Sequence, residues 1–274
     1  MKFSVLTSVY KNEKLENFIE AMDSVLSQTL LPDEIILMRD GPVSVEMQNL
    51  INKYITGKYA YLFSYFPLDE NVGLGNALRI GLEKAKYEYI ARMDTDDIAE
   101  PNRFEIQVKF MEQNPEISVC GGQIYEFIGE KNNIVGKREV PLIHEDIGKF
   151  IRKRNPFSHM TVMFRKQDVI DVGNYIELHY VEDYYLWCRM FIKGYKFANL
   201  PDVLVYARTD EKMYQRRGGY KYFQSWKSLE KFKLKNGITN MFDYHKTLIM
   251  RFCVQVLMTN KIRGFVLKKF ARKH

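Results

Sequence analysis

Short apolar runs alternate with amphipathic stretches through the first third of the chain. The apolar runs, each of which predicts a buried strand, lie at residues 3–9, 34–38, 61–65 and 89–93. Between these runs, apolar side chains recur at helical spacing, as in Leu15, Phe18 and Met22. Four strand–helix alternations are typical of an α/β fold with a mostly parallel central sheet and helices on both faces. Such sheets bind ligands at the carboxyl ends of their strands.

The pattern changes after residue 115, where we expect shorter strands and separate helices. The expected strands are 117–120, 123–128 and 159–164, with a hairpin turn at 130–133. The expected helices are 145–152, 182–192, 218–235 and a stretch from Tyr244 onward. We therefore predict one α/β domain over residues 1–210, followed by a basic helical C-terminal extension over residues 211–274.

The composition is that of a folded protein of 274 residues, because 46% hydrophobic residues suffice for a full core. The sequence has no run of 18 apolar residues, and its start lacks the cleavage site of a signal peptide. The three cysteines, Cys120, Cys188 and Cys253, are widely spaced. This spacing favours reduced thiols and predicts a cytoplasmic location.

Positive charge is concentrated in the C-terminal quarter. Residues 1–207 carry 24 basic and 30 acidic side chains, whereas residues 208–274 carry 17 basic and 4 acidic ones. From Met241 onward, 8 basic residues are interleaved with the apolar residues Leu248, Phe252, Val256, Ile262, Phe265, Val266 and Phe270. This mixture favours a helix that lies on an anionic membrane surface, with packing on the protein body as the alternative. No nucleic acid partner is expected, because the aromatic residues follow helical spacing and form no stacking platform.

Three carboxylates, Asp94, Asp96 and Asp97, directly follow the fourth predicted strand. Carboxylates this close together repel one another unless a cation lies among them, and such oxygen ligands suit Mg²⁺ or Mn²⁺. The alternative is a solvated acidic turn that caps the next helix. An EF-hand is not supported, because the loop glycine and the distal glutamate are missing. The loop is therefore a candidate metal site at the end of a strand.

Phosphate-binding motifs narrow the possible functions. The chain contains no GxxxxGK[ST] loop, and Gly73-Leu-Gly75 lacks the third glycine of a dinucleotide fingerprint. Neither a triphosphate hydrolase nor a dehydrogenase is therefore supported. The segment from Gly73 through Asn76 to Arg79 still begins a helix, whose backbone N–H groups and arginine could face a diphosphate. A plain turn before a helix is the alternative.

Six motifs occur in a fixed order along the chain. The first three are Val5-Leu-Thr-Ser-Val-Tyr-Lys-Asn-Glu13, the spacing from Gln28-Thr29 to Asp40-Gly41, and Asn71-Val-Gly-Leu-Gly-Asn-Ala77. The others are Ala91-Arg-Met-Asp-Thr-Asp-Asp97, Pro101-Asn-Arg-Phe-Glu105 and Val181-Glu-Asp-Tyr-Tyr-Leu-Trp187. In these motifs the chain resembles the family 2 glycosyltransferases of the GT-A fold over residues 3–210.

The resemblance implies an inverting, metal-dependent transfer from a nucleotide sugar, similar to bacterial enzymes of surface polysaccharide and O-antigen synthesis. It places a nucleotide-binding half at residues 1–100 and an acceptor half at residues 101–210. The implied nucleotide-binding residues are Thr7, Ser8, Tyr10, Glu13, Asp40 at the uracil edge, Asn76, Arg79, Asp94 and Thr95. Asp94 and Asp96 would hold the metal ion. Asp183, the second acid of a Glu-Asp pair, would be the catalytic base, with acid placement at a helix N-terminus as the alternative.

Two features depart from the family pattern. Arg39 stands where relatives often carry an acid before the uracil-binding aspartate. Gln215-Arg216-Arg217 only partly matches the QxxRW of processive polymer synthases, so we expect a non-processive enzyme. His159 is expected either at the diphosphate or acceptor or in a structural role. Basic residues that form either a lid or a solvated loop are Arg208, Arg216, Arg217 and Lys221.

Together these features predict a cytoplasmic glycosyltransferase that is peripherally associated with the inner face of the cell membrane. We expect it to transfer a hexose or N-acetylhexosamine from a UDP-sugar to a saccharide acceptor carried on a lipid diphosphate. The alternative within enzymes is a metal-dependent nucleotidyltransferase that acts on sugar phosphates. A non-catalytic membrane adaptor is a third hypothesis, which the acidic residues Asp94, Asp96 and Asp183 disfavour.

Overall fold

The computed structural model describes residues 1–210, 218–259 and 262–263. Nine strands in these ranges form one sheet: β1 Phe3–Tyr10, β2 Glu34–Asp40, β3 Phe63–Pro67, β4 Tyr89–Arg92, β5 Ile98–Ala99, β6 Ile117–Phe127, β7 Ile134–Arg138, β8 Met163–Arg165 and β9 Lys196–Arg208. The α-helices of the same ranges are α1 Leu15–Leu26, α2 Val45–Thr56, α3 Leu74–Lys84, α4 Arg103–Gln113, α5 His144–Phe150, α6 Lys166–Asp171, α7 Glu182–Ile192, α8 Tyr220–Lys235 and α9 Met241–Phe252.

The strands of the sheet lie in the order β3-β2-β1-β4-β8-β6-β9-β5, and β7 pairs with β6. Parallel pairing joins β1 to both β2 and β4, β2 to β3, and β6 to β9. Only the short strands β5, β7 and β8 run in the opposite direction within the described part of the sheet. The carboxyl ends of β1, β2 and β4 therefore lie side by side at one edge.

Helices cover both faces of the sheet. Successive residues of a strand point to opposite sides, so neighbouring side chains of one strand pack on different helices. On β1, Val5 and Val9 pack with α1, α2 and α4, whereas Leu6 packs with α3 and α7. All three side chains are fully buried. Burying a side chain of this size stabilises the fold by about 1.5–3 kcal/mol. The alternation predicted from the apolar runs is thus confirmed.

The predicted elements before residue 94 are present with small shifts at their ends. The two strands expected at 117–120 and 123–128 are instead one continuous strand, β6. Gly121 and Gly122 lie within this strand, and glycine is needed at both because the side chains of Asn199 and Leu204 occupy the space that a Cβ would fill. The strand register to β9 shifts at these glycines, which absorbs the irregularity without ending the strand.

The strand expected at 159–164 begins as a 3-10 turn, and β8 contains only residues 163 and 164 of that range, together with Arg165. The turn forms because the backbone N–H of Thr161 donates to the carbonyl of Ser158 at 2.9 Å. The Thr161 hydroxyl donates to the same carbonyl at 2.7 Å. The long strand β9 was not predicted, since Asn199, Pro201 and Asp202 interrupt its apolar run.

Helix α8 packs against the body of the protein, and helix α9 packs on α8. From α8, Tyr222, Trp226 and Leu229 join the hydrophobic cluster that contains α7. Helix α9 begins at Met241, where the side chain of Asn240 accepts a hydrogen bond from the backbone N–H of Asp243. No helix within the described ranges combines the length and apolarity needed to cross a bilayer. The division of the chain at residue 210 stays a prediction.

Some predicted features lie outside the described residues. These are Gln215 of the partial QxxRW match, Arg216 and Arg217 of the expected lid, and the tail residues Phe265, Val266 and Phe270.

Candidate functional site

The end of β1 and the acidic loop after β4 are joined by hydrogen bonds. The hydroxyl of Thr95 donates to the carboxylate of Glu13 at 2.8 Å and to the backbone carbonyl of Ser8 at 3.2 Å. Burial raises the pKa of Glu13. These contacts bring together Ser8, Glu13 and Thr95, three residues predicted to bind the nucleotide. Thr7 is fully buried on β1, and Tyr10 is exposed at its end.

The acidic loop gathers three carboxylates. Asp94, Asp96 and Asp97 each offer one oxygen, and these oxygens all lie within 4.8 Å of one another. Burial and the negative charges of Asp94 and Glu13 raise the pKa of Asp96 to about 7. A bound cation would remove this penalty, and three converging carboxylate oxygens are ligands that Mg²⁺ and Mn²⁺ accept. The residues present therefore fit a divalent ion.

Asp94 and Asp97 differ in their other contacts. Asp94 forms an ion pair with the buried guanidinium of Arg92. Asp97 accepts a hydrogen bond at 2.7 Å from the backbone N–H of Arg208, at the end of β9. Burial raises the pKa of Asp97 well above its ordinary value, and the charges of Asp96 and Asp94 add to this effect. Asp97 therefore anchors the loop to the sheet, which leaves Asp94 and Asp96 as the predicted metal ligands.

Two buried arginines lie next to the acidic loop, and the sequence analysis gave neither of them a role. Arg92 and Arg103 are fully buried, and Arg103 donates to the backbone carbonyl of Arg92 at 2.6 Å. Burial lowers the pKa of Arg103 to about 9. Their positive charges offset part of the repulsion among the aspartates. A charge inside an apolar strand run is the signal that could have identified Arg92.

Asp40, at the end of β2, holds the loop that leads into α3. Its carboxylate accepts hydrogen bonds from the backbone N–H of Val72 at 2.7 Å and from the side chain of Asn71 at 2.9 Å. Gly41 has a φ of +82°, and a Cβ there would lie 2.6 Å from the backbone nitrogen of Asn71, so this close approach requires glycine. Asp40 thus has a structural role in the described part of the chain, and its contact with uracil stays a prediction.

The start of α3 is capped by a carboxylate from a distant loop. The backbone N–H of Gly75 donates to the carboxylate of Glu177 at 2.9 Å, at the helix end whose dipole attracts anions. Arg79 pairs with Glu83 along the helix at 3.1 Å, and the side chain of Asn76 donates to the carbonyl of Val72 at 3.0 Å. The roles of Asn76 and Arg79 in diphosphate binding stay predictions.

Asp183 lies in the first turn of α7 with its carboxylate held by two donors. The side chain of Asn155 donates at 2.6 Å, and the backbone N–H of Tyr184 donates at 2.7 Å. Burial raises the pKa of Asp183, and the charge of Asp94 raises it further, whereas the two hydrogen bonds lower it. Asp183 and Asp94 therefore lie close enough to interact electrostatically. The predicted base is therefore not part of the acidic loop, but the negative charge of Asp94 in that loop still acts on it.

His159 is half-buried beside these groups. Its Nε2 is 3.0 Å from the hydroxyl of Tyr175, and its ring also contacts Trp187. Burial lowers the pKa of His159 well below its ordinary value, and the charge of Arg92 lowers it further. The histidine is therefore neutral at pH 7. Its contacts with Tyr175 and Trp187 match the structural role, which was one of the two expectations for His159.

Glu182, the acid that precedes Asp183, is a further residue that the sequence analysis left without a role. Burial and the charge of Asp183 raise the pKa of Glu182 to about 8. Its Oε2 is buried and has no hydrogen-bond partner in the described part of the chain. The two acids at the start of α7 therefore differ, because the carboxylate of Asp183 has two hydrogen-bond donors, whereas burial raises the pKa of Glu182. The Glu-Asp pair in the sequence does not show this difference.

Arg208 connects the acidic loop to its surroundings. Its Nε donates to the backbone carbonyl of Asp96 at 3.0 Å, and its Nη1 donates to the carbonyl of Gly129 at 2.6 Å. The same guanidinium contacts Glu20 and lies 4.5 Å from the ring centroid of Phe127. Arg208 therefore fixes the loop in place, and it does not project from a basic lid. Lys221, which was grouped with it, is exposed at the start of α8.

Comparison with known proteins gives consistent matches. The profile described as Glycosyl transferase family 2 matches residues 4–173, and Glycosyl transferase family group 2 matches residues 89–259. The chain is 43% identical over 234 residues to the amylovoran biosynthesis glycosyltransferase AmsE of Erwinia amylovora, covering 85% of each chain. It is 34% identical to the UDP-Gal:alpha-D-GlcNAc-diphosphoundecaprenol beta-1,3-galactosyltransferase of Escherichia coli, over 99% of this chain and 97% of that relative.

Solved structures share the fold at low sequence identity. Residues 1–349 of TarS from S. aureus, in complex with UDP-GlcNAc, superpose with a TM-score of 0.64 and 18% identity, covering 98% of this chain and 76% of that 1–349 chain. The mannosyltransferase PcManGT from Pyrobaculum calidifontis, in complex with GDP-Man and Mn²⁺, gives a TM-score of 0.66 at 14% identity, covering 98% and 74%. The predicted GT-A architecture is confirmed by these likenesses.

Proposed function

The chain belongs to glycosyltransferase family 2, and from this premise we propose that it transfers a hexose or N-acetylhexosamine from a UDP-sugar to a lipid-diphosphate-linked saccharide, with inversion. One observation carries the proposal. The carboxylates of Asp94 and Asp96 converge at the carboxyl end of the sheet, and a separate carboxylate, Asp183, lies close enough to Asp94 for the two charges to interact. This arrangement supports a metal site for the leaving diphosphate and a separate base for the acceptor.

Asp183 is suited to be the base of an inverting transfer. The acceptor hydroxyl attacks the anomeric carbon on the side opposite the departing UDP, and Asp183 takes the hydroxyl proton. Asn155 and the Tyr184 N–H hold the carboxylate in one orientation, so the same oxygen lone pairs face the incoming hydroxyl. A base placed in this way contributes about 10²–10⁴-fold to the rate.

Asp94 and Asp96 are the residues we propose to hold Mn²⁺ or Mg²⁺. When bound there, such an ion acts as a Lewis acid toward the charge that develops on the diphosphate. Asp94 is fixed by its ion pair with Arg92, and the loop is fixed by the bonds of Asp97 and Arg208. The ligands are therefore oriented before the donor binds.

The nucleotide is proposed to bind along the ends of β1 and β2. Its proposed contacts are Thr7, Ser8, Tyr10, Glu13, Asp40, Asn76, Arg79, Asp94 and Thr95. The link from Thr95 to Glu13 and Ser8 supports this set, since it joins the acidic loop to the end of β1. UDP as the nucleotide is supported by the galactosyltransferase relative, whose name specifies UDP-Gal.

The lipid-diphosphate acceptor is supported by the same relative, whose name specifies a GlcNAc-diphosphoundecaprenol acceptor. The amylovoran relative supports a place in surface polysaccharide synthesis. The decisive test is an assay with UDP-glucose, UDP-galactose and their N-acetyl forms, Mn²⁺ and a lipid-diphosphate-linked sugar. We expect one donor to yield a product extended by one sugar and free UDP. A product that retains the nucleotide would instead identify a nucleotidyltransferase.

Helix α9 is proposed to hold the enzyme on the anionic inner surface of the membrane. One face of α9 packs on α8, where Phe252 lies 5.3 Å from Phe223 between ring centroids and Arg251 stacks on Trp226. The other face exposes Met241, Phe242, Ile249 and Met250, with Lys246 among them. An apolar stripe with basic residues near it is the pattern of a helix that lies in the interface of an anionic bilayer.

A double variant, Phe242→Ser with Ile249→Ser, is expected to bind phosphatidylglycerol vesicles at least about a hundredfold more weakly, because each buried side chain contributes about 1.5–3 kcal/mol. Co-sedimentation with vesicles measures this loss. The matched control is Val45→Ser with Tyr61→Ser, which removes two equally exposed apolar side chains from elsewhere on the surface. Equal weakening by both double variants would contradict a specific membrane face on α9.

A further inference from the structure

Helix α8 carries a buried ion pair. The ammonium of Lys233 lies 2.7 Å from the carboxylate of Glu230, and neither side chain is more than 1% exposed. The same ammonium donates to the backbone carbonyl of Arg152 at 2.8 Å and to the hydroxyl oxygen of Tyr184 at 3.2 Å. An ammonium has three protons, and each of these three contacts uses one of them. Lys233 therefore joins three separate parts of the chain.

The two residues outside α8 that bond to Lys233 are each close in sequence to Asp183 or to one of its hydrogen-bond donors. Tyr184 follows Asp183 on α7, and its backbone N–H donates to the Asp183 carboxylate. Arg152 lies in the turn after α5, three residues before Asn155, whose side chain is the other donor to Asp183. The Tyr184 hydroxyl closes the connection by donating to the backbone carbonyl of Ile151 at 2.6 Å.

Stability alone does not explain this arrangement. Removing two charges from water costs several kcal/mol per ion, and a well-packed apolar pair of similar size is often equally stable or more stable. A hydrogen-bonded ammonium differs from an apolar pair in that it fixes the distance between the segments it touches. Glu230 supplies the negative charge that Lys233 needs in the interior.

We propose that Lys233 is a positioning residue for Asp183. Lys233, on α8, holds the turn that contains Asn155 against α7, the helix that contains Asp183. It thereby keeps both hydrogen-bond donors, the Asn155 side chain and the Tyr184 N–H, on the carboxylate of Asp183. The proposal rests on the proposed function of Asp183 as the base. It assigns to the C-terminal region a part in the chemistry of the site, in addition to the proposed membrane contact of α9.

The test is the double variant Glu230→Leu with Lys233→Met, which replaces the ion pair by an apolar pair and leaves neither charge of the pair buried without the other. We expect a melting temperature within a few degrees of wild type. Hydrogen exchange should become about tenfold faster in residues 151–157 and 182–186, and kcat should fall about tenfold with an unchanged KM for the donor. The acid limb of kcat should move to higher pH, because loss of the Asn155 donor raises the pKa of Asp183.

The matched control is Lys231→Met, which removes an exposed lysine from the same helix and should change none of these quantities. Wild-type exchange in both segments of the double variant would overturn the proposal, and so would faster exchange spread over the whole molecule. If the double variant does not fold, Tyr184→Phe takes its place, since it removes only the hydroxyl that links Lys233 to Ile151. Exchange needs no substrate, so an inactive wild-type enzyme would refute the proposed function without deciding this link.

Discussion

An Asp183→Asn variant is expected to lose about 10²–10⁴-fold in kcat while it binds UDP with wild-type affinity. The amide cannot accept the proton of the acceptor hydroxyl, but its oxygen can still accept one of the hydrogen bonds now made to the carboxylate by Asn155 and Tyr184. Calorimetric titration with UDP and a steady-state transfer assay measure the two quantities separately. Asp183 lies on the acceptor side in the proposed mechanism, which is why donor binding should not change.

The pH dependence of the wild-type enzyme should agree with this assignment. Burial raises the pKa of Asp183 above its ordinary value. A general base works only when it is ionised, so kcat should fall as the pH drops through this raised pKa. The residual activity of Asp183→Asn should lack that acid limb, because the variant has no carboxyl group to titrate at this position.

Asp168→Asn is the matched control, since Asp168 also stands in the first turn of a helix, α6, outside the site. It should leave kcat and its pH profile unchanged. Full transfer activity in Asp183→Asn would show that another group takes the proton. Loss of UDP binding would instead place Asp183 on the donor side, which contradicts the proposed mechanism.

The first half of the fold was predictable because its signals are local. Strands β1 to β4 read as apolar runs, and helices α1 to α3 read as repeats at helical spacing, without knowledge of distant partners. β9 was missed because its sequence contains Asn199, Pro201 and Asp202. Asn199 is accommodated in the interior by donating to the carbonyls of Pro141 and Pro156, and those partners come from other parts of the chain.

The candidate site likewise contains residues that local sequence signals predict and residues whose roles depend on distant partners. The acidic loop and Asp183 were identified from motifs that are contiguous in sequence. Arg103 was recognised only as part of a motif, because its role depends on a bond to the carbonyl of Arg92 across the core. Glu177, which caps α3, and Lys233, which reaches Tyr184, act over separations of 102 and 49 residues, and no periodicity in a single sequence encodes such contacts.

Contacts from two strands explain why the acidic loop tolerates the repulsion among its three carboxylates. A loop with three aspartates would be unstable alone, but β9 supplies the Arg208 N–H to Asp97, and β4 supplies Arg92 to Asp94. Asp96 is the member whose pKa is raised to about 7, so its charge is the least compensated of the pair proposed as metal ligands. The sheet therefore fixes the loop in a form that a cation would stabilise.

Asp96→Asn is accordingly expected to abolish the effect of Mn²⁺ on the protein. In the wild type, Mn²⁺ at a hundred times its Kd should raise the free energy of unfolding by about 2.7 kcal/mol. The variant should show no such increase, because it lacks one of the two proposed ligands. Its kcat should fall about 10³-fold, since a Lewis acid at a leaving group contributes several kcal/mol and each 1.36 kcal/mol is tenfold in rate. Thermal unfolding with Mn²⁺ or EDTA, followed by the transfer assay, measures both effects.

Two comparisons make this result specific to the metal site. Asp146→Asn, which changes an exposed acid on α5, should keep the full response to Mn²⁺ and full activity. In EDTA, Asp96→Asn should melt no lower than wild type, because the change removes a charge from a crowded cluster and leaves the Asp97 anchor intact. A wild-type enzyme that transfers sugar equally well in EDTA would contradict the metal site, and Asp94 and Asp96 would then have to act on the donor by hydrogen bonds alone.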